Sequence, residues 1–252
     1  MDKLLIIMDP KHKHQTALSR GIELARATGA SLEIVAFVHE YLDALPADPV
    51  VQNKARTALI ELRQEWLEKM LALADCDDLN VVAHTVWAKQ IHQWINEHCE
   101  RENISTVVKT GHRSETFLYT PTDWHLIREC PAPVMLVADN KWKKAHPILA
   151  AIDLSSEKPV KRALNNRIID HAWRLAKAMD TDLHLVHALH ISVVLADLDI
   201  IDTAAHTRKR EEELKPRIEH LRNTWHLNPE QVHIVAGPAQ KVIPSVANKI
   251  KA

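Results

Sequence analysis

Short apolar runs recur along this chain, separated by longer stretches in which apolar residues return every three or four positions. Leu4–Met8, Leu32–Val38, Val81–Trp87, Thr106–Lys109 and Pro133–Val137 read as five strands. The intervening stretches read as helices: one ending near Thr28, a long one over Val51–Ala74, one opening after the third strand and one opening at Thr120. The strands are apolar on both faces and do not alternate, as expected of a parallel sheet covered by helices on both sides. The right-handed crossover rule then favours a doubly wound sheet in the order 3-2-1-4-5.

The pattern occurs twice. LARATGASLEIVAFVHE, Leu24 to Glu40, aligns without a gap with LAKAMDTDLHLVHALHI, Leu175 to Ile191. Upstream, LIIMD ending at Asp9 matches LAAID ending at Asp153. Downstream, Ala55, Leu59, Leu62 and Trp66 match Leu214, Ile218, Leu221 and Trp225. These last positions form the stripe of an amphipathic helix and predict that Leu62, Trp66, Leu221 and Trp225 face a core. The second copy has strands at Ile148–Ile152, Leu183–Leu189 and Val232–Ala236, with a long helix over Ala205–Trp225. The expected organisation is a first α/β domain over residues 1–138, a polar linker over 139–147 and a second domain over 148–252. The second copy lacks counterparts of the fourth and fifth strands. Its first strand would then be a bare edge, so we expect the polypeptide to be incomplete or that edge to be covered by another chain.

Composition narrows the function classes. Lysine and arginine total 32 against 33 acidic residues, a net charge of −1, which gives no general grip on nucleic acid. No run reaches the length of a membrane span, and MDKLLIIMDP turns polar too soon for a secretory signal. Three widely spaced cysteines make neither a disulfide framework nor a zinc knuckle, so a reducing cytoplasm is expected. Only four glycines leave little material for phosphate-binding loops.

The Asp-terminated first strand of each half, Val38-His39 echoed by Leu189-His190, TPTDWHLIRECPAPV from Thr120, and GPAQKVIP from Gly237 to Pro244 together resemble the universal stress protein family in its double-domain form. The resemblance covers essentially the whole chain. It implies two tandem domains packed as a pseudo-dimer, with a homodimer possible, and a stress-response role. Many members of that family bind ATP through Gly-x-x-Gly, nine residues, then Gly-Ser or Gly-Thr. Glycines let the backbone close on phosphates at a helix N-terminus. This chain departs from that motif: Lys109-Thr110-Gly111-His112-Arg113 holds one glycine, and Thr120-Pro121 stands where Gly-Ser should open the helix. Thr120 as N-cap, Pro121 at the first helical position and Asp123 as partner of a capping box would fill that helix end and repel a phosphate. The second half lacks the region. No cofactor is therefore expected, although ATP could use other donors.

Ligands of open α/β sheets sit at the carboxyl ends of the strands. The candidate ligand-binding residues there are Asp9, His39, Lys109, Gly111, His112 and Arg113 in the first copy, and Asp153 and His190 in the second. By resemblance, Asp9 and Asp153 match the aspartate of the family's nucleotide crevice; equally, each could bind only the backbone of its own loop. No metal site is expected. In HLVHALH, strand geometry points His187 away from His184 and His190. The apolar connector Ile191–Ile201 packs on the sheet or lines a hydrophobic pocket. There is no catalytic signature. The expected function is a non-enzymatic cytoplasmic stress-response protein that binds a small ligand or a protein partner. The alternatives are a nucleotide-binding module or slow ATPase, and a carrier of a metal or hydrophobic ligand.

Overall fold

In a computed structural model, residues 2–11, 14–111, 122–138, 146–189 and 203–252 are described. The chain divides into two compact units, residues 1–141 and 142–252.

The first unit runs β1 (Lys3–Met8), α1 (Thr16–Thr28), β2 (Ser31–Val38), α2 (Pro49–Ala72), β3 (Val81–Trp87), α3 (Ile91–Arg101), β4 (Ile104–Thr110), α4 (Thr122–Glu129) and β5 (Val134–Val137). Its five parallel strands lie in the order β3-β2-β1-β4-β5, as the sequence predicts. The central strands are buried on both faces, which explains their unbroken apolar character. On one face Leu5, Ile7, Val35, Phe37 and Val107 pack against Ile95 of α3 and Leu126 of α4. On the other, α1 approaches so closely that a Cβ on Gly21 would lie 2.3 Å from Ile6 Cδ1. The left-handed conformation of Gly29 (φ 70°) ends α1, its N–H donating to Ala25 O at 2.8 Å.

The second unit contains β6 (Ile148–Ala151), α5 (Pro159–Ala178), β7 (Leu183–Leu189), α6 (Thr203–Trp225), a 3-10 turn over Pro229–Gln231, β8 (Val232–Ala236) and α7 (Ala239–Ile250). Among the described residues its parallel sheet has three strands, β6-β7-β8, matching β1-β2-β3 in connectivity. Leu183, Leu185 and Leu189 pack with Ile169 of α5 and with Leu214 and Leu221 of α6. Val186 packs with Val242 and Val246 of α7 on the opposite face. Strand alternation separates the histidines as expected: buried His187 faces the α5–α6 side, its Nδ1 3.2 Å from Ile152 O. His184 stacks on His233 with Nδ1···Nε2 at 3.0 Å. His190 and the connector Ile191–Ile201 lie outside the described residues.

The helical stripe needs a correction in the first unit. Leu221 is 9% exposed, but its counterpart Leu62 is 64% exposed. The other stripe positions, Ala55, Leu59 and Trp66, are partly buried, so the departure is confined to Leu62. The inward line of α2 runs through Ile60, Gln64 and Leu67, of which Leu67 is fully buried. Thr85 of β3 donates its hydroxyl to Gln64 Oε1 at 2.9 Å, a polar contact on this inward line. Trp66 and Trp225 are both partly buried, as expected.

Burial lowers the pKa of His184, His187 and His233 from the ordinary 6.5. The unfolded chain then binds more protons than the folded one below that value, so their contribution to stability is present above pH 6.5 and is lost as pH falls through the depressed folded values. Hydrogen exchange of the β7 amides, corrected for intrinsic rates, should show clearly weaker protection at about pH 5.5 than at about pH 7.5. Equal protection at both would contradict the role assigned to these histidines.

Candidate functional site

β1 ends at Asp9 beneath the first crossover, and its loop is closed from within. The Asp9 N–H donates to Gln15 Oε1 at 3.3 Å, and Gln15 Nε2 returns a bond to Asp9 O at 2.8 Å. The Lys11 N–H donates to the Asp9 carboxylate at 2.9 Å. The second unit repeats the device with asparagine in place of glutamine. The Asp153 N–H donates to Asn165 Oδ1 at 3.1 Å, and Asn165 Nδ2 donates to Asp153 O at 2.6 Å. The Ser155 N–H donates to the Asp153 carboxylate at 3.0 Å. The Ser155 hydroxyl and N–H hold the Asp153 carboxyl below its ordinary pKa against the opposing effect of burial. Both aspartates thus organise the turn beyond the first strand.

β4 carries Lys109 and Thr110 to the same edge on opposite faces. The Thr110 hydroxyl accepts from the Ala17 N–H at 3.3 Å, satisfying one free donor in the first turn of α1. Lys109 is buried: its ammonium lies 2.8 Å from Asp123 Oδ1 of α4 and donates to Thr110 O at 2.9 Å. Asp123 is buried as well. The sequence offers Asp123 as partner of Thr120 in a capping box, and Lys109 as a candidate anion ligand beside His112 and Arg113. The structure joins Lys109 to Asp123 across the strand–helix layer. Thr120, Pro121, His112 and Arg113 lie outside the described residues. Gly111 continues the β4–β5 pairing, its N–H donating to Val137 O at 2.9 Å.

His39, just past β2, stands in an aromatic group, its ring 5.4 Å from Tyr41 and 5.3 Å from Trp87. Lys89 and Arg56 lie over Tyr41 and Trp87 at 5.0 and 5.4 Å. Arg63 of α2 was not singled out in the sequence. Its guanidinium lies over Trp66 at 5.3 Å and within the field of Asp9, with its pKa lowered by burial against that carboxylate's pull. No local signal links Arg63 to Asp9; the crossover between β1 and α2 brings them together.

Elsewhere in the unit, Cys99 of α3 and Cys130 after α4 place their sulfurs 4.0 Å apart. The hydrogen bond between the two thiols, aided by the Ala132 N–H, lowers the Cys130 thiol to about 7, while Cys99 is pushed up. No described helix is long and apolar enough to cross a membrane.

Residues 1–138 match the family model described as the universal stress protein family. Over 259 residues the chain is 27% identical to universal stress protein E of Escherichia coli K12, covering 99% of this chain and 81% of that protein. Over 261 residues it is 25% identical to the universal stress protein E homolog of Haemophilus influenzae, covering 99% and 84%. A crystal structure of a putative universal stress protein from Pseudomonas aeruginosa UCBPP-PA14 superposes with a TM-score of 0.67 at 24% identity, covering 100% of this chain and 80% of that one. A universal stress protein from Archaeoglobus fulgidus DSM 4304 gives 0.59 at 16% identity, covering 99% and 84%. These likenesses support the fold.

Asp123→Ala should cost about 3–5 kcal/mol in chemical denaturation, since it strands the buried Lys109 ammonium. A cap alone would cost only about 1 kcal/mol. The double change Lys109→Met with Asp123→Ala should recover much of the loss; equal losses in single and double variants would show that the pair is not what matters. Below about pH 8, Cys130 should alkylate with iodoacetamide faster than buried Cys76, whose thiol is pushed up by desolvation. Mass spectrometry of the tryptic peptides reads the order.

Proposed function

The chain belongs to the universal stress protein family, a stress-response family, and from that premise we propose that it is a non-enzymatic cytoplasmic protein that acts by binding a protein partner or small ligand. Tight ATP binding in the first unit has no place in this reading. One observation carries it: the Lys109 ammonium at the end of β4 is committed to Asp123 at 2.8 Å. A cation held that way turns to a phosphate only by giving up its ion pair with a buried carboxylate. Two further features support the reading. Asp9 binds the backbone of its own loop, and Thr110 occupies a donor at the start of α1 that an anion could otherwise use. The motif at Gly111 also retains a single glycine, so the backbone is not free to fold around phosphates as glycine-rich loops do.

Equilibrium dialysis of radiolabelled ATP with magnesium, paired with a phosphate-release assay, tests the reading. We expect binding no tighter than about millimolar, a free energy of roughly 4 kcal/mol, and release at the rate of protein-free buffer. A micromolar dissociation constant abolished by Asp9→Ala would establish a nucleotide-binding module in its place.

A further inference from the structure

We propose that His92, His125 and Glu129 form a binding site for a divalent transition-metal ion of the zinc class. His92 is the second residue of α3; His125 and Glu129 lie one turn apart on α4. One donor atom from each lies within 4.8 Å of the other two. The site belongs to the helix layer over β4 and β5, and it stands or falls independently of nucleotide binding at the strand ends.

The donor set suits such an ion. Two imidazoles and one carboxylate are borderline ligands that select zinc and its neighbours over calcium or magnesium. The i,i+4 spacing of His125 and Glu129 puts both on one face of α4, and the packing of α3 against α4 supplies the third ligand. Tetrahedral donors at zinc bond lengths lie about 3.4 Å from one another. The His125 Nδ1–Glu129 Oε1 distance of 3.5 Å already meets that spacing. Closing the remainder needs a modest turn of side chains, of which the two histidines are partly buried and Glu129 is exposed.

The two rings stack with centroids 4.1 Å apart and planes 12° from parallel. Neither ring is hydrogen-bonded to another described residue, whereas the paired rings of His184 and His233 bond each other. Three protein ligands leave a fourth position for water or a ligand atom from outside, the form of an open rather than a closed structural site. A bound ion would also tie α3 to α4.

Tag-free protein, stripped with a chelator, is titrated with zinc against a chromophoric competitor and separately with cobalt. We expect saturable zinc binding and a visible cobalt absorption of four- or five-coordinate character. His92→Gln and His125→Gln should each weaken zinc binding by about tenfold or more and abolish the cobalt band. His184→Gln should leave both unchanged. Circular dichroism confirms that the variants are folded, and because the two ligands sit on different helices, either folded variant suffices. Failure of the wild type to saturate overturns the proposal. So does indistinguishable binding by wild type and the His92 or His125 variants, or loss of the signal on His184→Gln, which would mark adventitious capture by another histidine pair.

Discussion

A parallel sheet covered by helices on both faces has no solvent into which a misplaced charge can turn, and that constraint governs the polar residues of this fold. Every charged side chain that enters the helix–sheet layers must bring its own partner. Lys109 does so with Asp123, and buried Glu33 of β2 does so with His98 of α3 at 2.8 Å, with Lys3 at 3.5 Å. His187 meets the demand as a neutral ring against the carbonyl of Ile152. Such pairs add little net stability relative to apolar packing, but each is costly to break on one side. They therefore fix the register of strand against helix. They also decide what the strand ends can offer a ligand.

The duplication shows which parts of the design are constrained and which drift. Both units keep the aspartate after the first strand, the carboxamide that brackets its backbone, and a donor two residues on. The carboxamide sits just before α1 in one unit and inside α5 in the other, because α5 has 20 residues where α1 has 13. The loop geometry is preserved while the helix that serves it changes length. The second helices diverge more: α6 buries Leu214 and Leu221, whereas α2 buries only Leu67 and leaves Leu62 exposed.

α4 concentrates much of the chemistry of the first unit in eight residues. Leu126 and Asp123 point inward, one to the apolar core and one to Lys109. His125 and Glu129 lie on a third line beside α3, where His92 stacks. Helical periodicity lets one short element serve a core, a buried ion pair and a cluster of metal-type donors on separate faces. Cys130 directly follows, against Cys99 of α3.

Sequence alone determined the strands, their parallel arrangement and the order 3-2-1-4-5, because burial on both faces and the handedness of crossovers leave a local trace in every apolar run. It also determined the duplication and the placement of Asp9 and Asp153 at strand ends, since these follow from period and order. The separation of His184 from His187 came from the same source, as a strand alternates whatever surrounds it. Tertiary structure decided what each side chain meets. Asp123 read as a cap because Thr120 is its near neighbour in sequence; its ion pair at 2.8 Å with Lys109, on another element, had no such local sign. The exposure of Leu62 beside buried Leu67, the approach of Arg63 to Asp9, and the meeting of His92 with His125 and Glu129 likewise left no mark in the chain. Each depends on how one helix turns against its neighbour, and periodicity states which residues share a face without stating what that face is laid upon.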